Sequence, residues 1–374
     1  MEWKARWICE SREASDVCPL YQKQFTLEKD VKQATLYVTA WGVYEAMLNG
    51  HRVGEFVLAP GWTSYETRLQ YQAYDVKELL AAENRLEVTV GKGWYRSPML
   101  GWENSWVQQN QMKKPAGLLA QLEVVYQDGS MDTFATDSSW TWGESGIRFS
   151  EIYDGETYDA SMTPCANTPV RVLDVMEKAL IPQQGEEIRE QERIHPARIF
   201  TTPAGERVVD FGQEVTGYVE LSLTAHSGEV VELSHAEVMD QEGNFYTANY
   251  REAKAKLRYI CKEGAQTYKP RMTFFGFRYI RLDQFPGGPM NAKEENFTAI
   301  VVHSAMKRTG YLRSSHPLLN QLFENVIWGQ KGNFLDVPTD CPQRNERLGW
   351  TGDAQVFIRT ACLNFNVKRF FTKW

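Results

Sequence analysis

Basic charge is the first thing this sequence lacks. Its 41 Lys and Arg residues are outnumbered by 48 Asp and Glu, for a formal net charge of −7. No Lys/Arg-rich run offers the basic face that a phosphate backbone demands, which argues against nucleic acid as a partner. No stretch approaches the roughly 18 consecutive apolar residues of a membrane span, so no membrane partner is expected. The opening Met1-Glu2-Trp3-Lys4-Ala5-Arg6-Trp7 has no apolar core of a secretory signal. Cys-x-x-Cys pairs are missing too: the six cysteines, at 9, 18, 165, 261, 341 and 362, are scattered. That pattern favours reduced thiols in a cytoplasm over a disulfide framework or a zinc site. Gly91-x-Gly93 is followed by no Gly-Lys-Ser/Thr and opens no strand–glycine–helix unit, so no phosphate loop and no cofactor are expected.

Aromatic side chains are abundant instead: 13% of residues, 12 of them Trp. Most must be core. A surplus near carboxylates suits sugar binding, because a flat apolar ring matches the C–H face of a pyranose.

The first half reads as β-structure. Leu36 to Ala40 is rich in β-branched and aromatic residues, and Leu86 to Val90 alternates. Val43 to Leu48, Asn49-Gly50 and His51 to Phe56 form a hairpin with a type I′ turn signal. Leu122 to Tyr126, Asp128-Gly129 and Met131 to Thr136 form another. A short helix is expected near Val76 to Ala82. The charged stretch from Leu173 to Glu192 reads as an irregular linker. A second β region follows, with Val208 to Gly212, a hairpin of Tyr218 to Thr224 with Val230 to Ser234, and strands over Arg278 to Leu282 and Thr298 to His303. Many short strands separated by turns indicate sandwiches or jelly rolls.

The period changes after Tyr311. Leu318, Leu319, Leu322, Phe323, Val326 and Ile327 recur at helical spacing. Ser314 or Ser315 would cap that helix, with Pro317 in its first turn and Gly329 or Gly332 at its end. Ala354, Phe357, Ile358, Ala361 and Phe365 mark a second helix capped by Asp353. Val367, Phe370, Phe371 and Trp374 continue the pattern.

Between these helices runs Asp336-Val337-Pro338-Thr339-Asp340-Cys341-Pro342-Gln343-Arg344-Asn345-Glu346-Arg347-Leu348-Gly349-Trp350-Thr351-Gly352-Asp353. Its prolines and glycines make it a shaped loop that gathers carboxylates, two arginines and a tryptophan. Acids fixed beside a Trp are what glycoside hydrolysis requires. On charge pattern alone the plainer reading stays open: an acidic loop in which Arg344 and Arg347 neutralise Asp340 and Glu346, and Asp353 only caps a helix. Elsewhere, His235, Glu237 and Asp240 sit close together at a spacing that suits no standard metal site. Trp94, Tyr95, Trp102 and Trp106 could rim a pocket, though a structural role fits them better.

The run from Asp340 to Asp353, with Ala354-Gln355-Val356-Phe357 behind it, resembles the signature that opens the catalytic barrel of bacterial α-L-rhamnosidases. Leu58-Ala59-Pro60-Gly61-Trp62-Thr63-Ser64-Tyr65 and Gly93-Trp94-Tyr95-Arg96 resemble that family's N-terminal β domain, and Asp210-Phe211-Gly212-Gln213 its second β domain. The resemblance implies a mainly β chain: two jelly-roll-like β-sandwich domains, then the first helices of an incomplete (α/α)6 barrel. The expected division is 1–172 for the first sandwich, 173–192 for the linker, 193–310 for the second sandwich and 311–374 for the barrel. Such a barrel needs roughly 250–350 residues, and 61 follow Arg313, so a truncated barrel is expected.

Position by position, the resemblance makes Glu346 the general acid and Asp340, Arg344, Trp350 and Asp353 contacts to rhamnose. Asn345 stands where the family more often has Asp. The implied reaction is inverting hydrolysis of terminal α-L-rhamnosides, with a rhamnose-containing glycoside as partner and a homodimer left open. Its general base lies beyond this chain, so 1–374 alone is expected to be inactive. The alternative is a non-catalytic sugar-binding β module, or an inert fragment of a split gene.

Overall fold

Alternation becomes strand wherever one face can be buried. In Val31–Ala40 the buried positions include Ala34, Leu36 and Val38; in Glu83–Gly91 they are Asn84, Leu86, Val88 and Val90, with neighbours facing outward. The computed structural model describes residues 2–13, 15–98, 113–175 and 179–374. The chain divides into two units, one drawn mainly from residues up to Glu151 and from Met162–Gln183, the other from Ile152–Ser161 and Gln184–Trp374.

The first unit holds two sheets. One runs in the order Arg171–Val172, Ile8–Cys9, Leu118–Tyr126, Val31–Ala40, Arg68–Asp75, Ala179–Pro182, with Met131–Ala135 also paired to Leu118–Tyr126. The other runs Thr168–Pro169, Thr141–Glu144, Pro19–Thr26, Glu83–Gly91, Val43–Leu48, His51–Arg52. They face one another as a sandwich: Phe25 meets Phe134 at 4.3 Å between ring centroids, and Tyr44 donates to Gln72 at 2.7 Å. The Asn49-Gly50 turn forms as its sequence dictates, with φ of 54° and 81° and Leu48 opposite His51. The helix expected near Val76 to Ala82 is a single 3-10 turn, Lys77–Leu79.

The second unit is organised by one long strand, Arg207–Ala225, which breaks register between Asp210 and Val215. Phe275–Gln284 pairs with it on both sides of the break; Arg198–Thr201 pairs with it before the break, and beyond it Phe297–Ser304 joins from Gly217 and Gly264–Tyr268 from Leu221. A strand that changes neighbours at a bulge turns the corner of a sandwich.

Three sequence readings need correction. The hairpin of Tyr218 to Thr224 with Val230 to Ser234 does not form. Both are strands, but the edges of the first are taken near Leu221 by Gly264–Tyr268 and Phe297–Ser304, so Val230–Ala236 pairs with Phe275–Gln284 and Lys256–Ile260 instead. Residues 173–192 are not uniformly irregular: Ala179–Pro182 runs parallel to Arg68–Asp75, and Ile188–Ile194 runs antiparallel to Phe297–Ser304. The second of these hides its strand character because its charges are paired, Glu190 to Tyr218 and Lys269, Glu192 to Lys331, and Arg193 to Glu220. Finally, Gly155–Asp159 pairs in parallel with Lys256–Ile260 and belongs to the second unit.

Three helices follow: α1 (Pro317–Asn333), α2 (Thr351–Asn364) and α3 (Lys368–Lys373). Their caps differ from expectation. The residue before α1 is His316, without a side-chain cap, because Asn320 folds back onto the backbone of Ser314. The helix passes both glycines and ends at Asn333. Asp353 lies inside the first turn of α2, and Trp350 precedes the helix. Met306, Ile327, Phe334, Ala361, Phe365, Val367 and Phe370 form the core under the helices, with Phe334 stacked on Phe370 at 4.6 Å. Asn364 donates to Gln330 and Gln330 to the Ala361 carbonyl, a buried polar tie between α1 and α2. The outer part of the expected stripe stays exposed, Leu318 at 73% and Leu322 at 58%. No helix among the described residues is long and apolar enough to cross a membrane.

Candidate active site

The loop between α1 and α2 is held by an arginine that touches neither acid. Arg347 is wholly buried. Its Nη1 donates to the carbonyls of Ile152 and Phe274 at 2.7 and 2.8 Å, its Nη2 to Gln343 at 2.9 Å and its Nε to Arg344 at 3.1 Å. The guanidinium lies over the rings of Phe274 and Tyr153. Five donors spent largely on carbonyls make it a scaffold bolt, which removes it from the charge balance that the plainer sequence reading gave it. Gly276 completes the seat: a Cβ there would lie 2.6 Å from the ring of Pro342.

With Arg347 engaged, Arg344 serves the carboxylates. Its Nη2 stands 3.0 Å from Glu346 Oε2 and 3.6 Å from Asp340 Oδ2. Glu346 is further fixed by Trp350, whose indole Nε1 donates to Oε1 at 3.1 Å, and by Tyr153, whose hydroxyl donates to the Glu346 carbonyl at 2.6 Å. Asp340 accepts from the Leu348 backbone at 3.2 Å and from the Cys341 thiol at 2.9 Å. Burial first, then the Glu346 charge, raises the Asp340 carboxyl above its ordinary range. Burial, followed by its hydrogen bond to Asp340, pushes the Cys341 thiol up to about 12, so it keeps its proton and acts as a donor.

Four of the five sequence candidates thus form one contact chain, Asp340–Arg344–Glu346–Trp350. Asp353 joins through the adjoining pocket of about 560 Å³, whose lining includes Asp340, Asp353, Gln330, Asn333, Phe334 and Phe357. Polar groups against apolar walls in that volume suit a small hydroxylated ring.

Sequence reasoning missed Arg251. It reaches Glu346 Oε2 with Nη1 at 3.0 Å from a distant 3-10 turn, and no local pattern marks it. Tyr153 is missed for the same reason. Glu237, which its sequence neighbourhood offers only as a metal ligand, accepts from Asn249 at 3.1 Å, and burial followed by the neighbouring Glu214 carboxyl pushes its own carboxyl upward. His235 is a core residue, stacked on Phe275 at 3.9 Å with burial lowering it to about 4. Trp94 and Tyr95 are buried within the first unit; Trp102 and Trp106 lie outside the described residues.

Asp340, Cys341 and Glu346 bring ligand atoms within 4.8 Å of one another. That set does not suit a metal centre, because a ligating cysteine must be a thiolate and the Arg344 guanidinium already sits against both carboxylates.

Comparison with known proteins agrees with this layout. Residues 29–192 match the alpha-L-rhamnosidase N-terminal domain, 200–303 the bacterial alpha-L-rhamnosidase concanavalin-like domain and 307–374 the bacterial alpha-L-rhamnosidase 6 hairpin glycosidase domain. An alpha-L-rhamnosidase of Streptomyces avermitilis is 41% identical over 360 residues, covering 92% of this chain and 34% of the relative. One from Formosa agariphila is 37% identical, covering all of this chain and 42% of the relative. The chain therefore spans between a third and some two fifths of these curated relatives. Among solved structures, the α-L-rhamnosidase of Aspergillus terreus superposes with a TM-score of 0.92 at 37% identity, covering 99% of this chain and 44% of that one. The Streptomyces avermitilis alpha-L-rhamnosidase complexed with L-rhamnose gives 0.89 at 38%, covering 96% and 36%. Three consecutive domain matches to one family lead to one assignment: the chain belongs to the bacterial α-L-rhamnosidase family.

Proposed function

We propose that this chain supplies the acid half of an inverting α-L-rhamnosidase site, acting on terminal α-L-rhamnosides. The observation that carries the reading is the meeting of Arg344 and Trp350 on the Glu346 carboxylate, with Asp340 paired to the same Arg344 and lining the pocket. Glu346 protonates the glycosidic oxygen as the bond to the leaving group breaks. Asp340, Arg344 and Asp353 hold ring hydroxyls, and the half-exposed Trp350 ring takes the C–H face.

Inversion needs a second carboxylate roughly 6.5–9.5 Å from the acid, with room for a water. Asp340 is a poor choice for it. Its carboxylate lies within 4.8 Å of that of Glu346, and the Arg344 guanidinium contacts both. We place the water-activating base outside residues 1–374, and on that reading this stretch alone should leave a nitrophenyl rhamnoside intact.

The test is proton NMR of the sugar first released by a chain carrying the whole hairpin domain. β-L-Rhamnose should appear before mutarotation; α-L-rhamnose appearing first would exclude inversion. Asp340→Asn or Asp353→Asn should weaken rhamnose binding by about 1–3 kcal/mol, the cost of a lost charged hydrogen bond. Calorimetry giving wild-type affinity for both variants would remove them from the sugar subsite.

A further inference from the structure

Three cationic or N–H groups meet the carboxylate of Glu346. Oε1 accepts from Trp350 and Oε2 accepts from Arg251 at 3.0 Å, while the Arg344 guanidinium pairs with Oε2 at 3.0 Å. A guanidinium and an indole have only hydrogens to offer. With all three in place the carboxylate oxygens are taken up, and a general acid must be freed from part of that hold before it can reach a substrate.

The three donors differ in how they are held. Trp350 sits on the loop itself. Arg344 is held a second time by Asp340, and it is one-third exposed. Arg251 comes from another element, just after the turn Ala248–Tyr250, and its side chain is 49% exposed. Glu346 is its one side-chain partner among the described residues.

The backbone that delivers Arg251 is unusual. Its φ is 56° and its ψ −117°, a region costly for a residue with a Cβ, by about 1–3 kcal/mol. The turn is fixed on both sides of that strain. The Tyr250 side chain is buried and its hydroxyl donates to the Gly276 carbonyl at 2.5 Å, Asn249 donates to Glu237 at 3.1 Å, and the Ala253 amide donates to the Tyr250 carbonyl. Strain kept in place by such fixed surroundings is a feature of functional sites.

We infer that Arg251 is a positioning residue: it holds Glu346 in a paired resting state, and the leaving-group side of a bound glycoside takes its place before proton transfer. The inference rests on Glu346 being the general acid. Substrate entry separates the one loosely held cation from the carboxylate, while Arg344 and Trp350 keep the side chain aimed. Other charged or titratable groups facing this cluster are Asp340 and Cys341 from the loop, Glu252 beside Asn345, and Glu237 acting through Arg344.

The test uses Arg251→Gln, Arg251→Lys and Arg251→Gly in a chain carrying the whole hairpin domain, assayed on an alkyl or natural rhamnoside. The Gly variant relieves the positive φ, so it removes the cation without a folding cost from that residue. In the Gln and Gly variants KM should change by about threefold for substrates with bulky leaving groups and by less for methyl rhamnoside, with the Lys variant close to wild type. Gln and Gly variants whose KM values match wild type on both substrates would overturn the inference. If Glu346→Gln remains active, the reading of the acid itself fails; if that variant is dead and the KM pattern does not change, only the role of Arg251 fails.

Discussion

In a chain carrying the whole hairpin domain, Glu346→Gln should lower kcat on a rhamnoside with a poor leaving group by about 10²–10⁴, the usual worth of general acid catalysis. The substitution keeps shape and removes the transferable proton. It also disturbs the resting contacts. The wild-type carboxylate accepts from Trp350 on one oxygen and from Arg251 on the other, where Arg344 also pairs with it. An amide has one acceptor and one donor end, so either the indole or the guanidinium pair must face an NH₂ group. Ground-state binding should therefore shift modestly, whereas turnover collapses. The loss should shrink with leaving-group quality, because a nitrophenolate needs little protonation. Steady-state rates on an alkyl and a dinitrophenyl rhamnoside check this. Retention of more than a tenth of wild-type kcat on the alkyl substrate would remove Glu346 from the role of acid.

Local chemistry was the legible part of this protein. Asn49-Gly50 names its turn because few residues tolerate two successive positive φ values, and the helices announce themselves through Ile327, Ala361 and Phe365, which do reach the core. The acidic loop was legible as a cluster because Asp340, Arg344 and Glu346 lie close in sequence as well as in space. What stayed hidden depends on partners far along the chain. Arg347 reads as a counter-ion until the carbonyls of Ile152 and Phe274 claim it. Ile188–Ile194 reads as linker because its charges are matched by Lys269, Lys331 and Glu220, which no window of sequence contains. The hairpin through Ser227-Gly228 failed for a similar reason: the turn signal is local, while the occupied edges of Arg207–Ala225 are not. Arg251 combines both obstacles, a distant partner and a backbone conformation that its residue type does not advertise.

The largest stability effect should come from Lys373→Met. Lys373 on α3 and Asp336 at the start of the acidic loop form an ion pair at 2.7 Å with side chains only 4% and 1% exposed. The ammonium also donates to the Asp336 carbonyl at 3.2 Å, and the Asp336 amide donates to Ser304 at 2.9 Å. Asp336 sits at a φ of 67°, so the turn into the loop depends on contacts of this kind. A methionine fills the lysine's volume and removes the ammonium from beside a buried carboxyl. Breaking a buried pair from one side costs about 3–5 kcal/mol, far more than an exposed pair would. Adding Asp336→Asn should recover part of that loss, because the buried charge is gone and an Asn tolerates the left-handed backbone. Urea denaturation of wild type, single and double variants measures both quantities, and limited proteolysis should show earlier cleavage within 336–353 in the single variant. A single-variant loss under 1 kcal/mol, or a double variant no better than the single, would mean that packing of Phe370 and Phe334 carries α3 and that the pair is incidental.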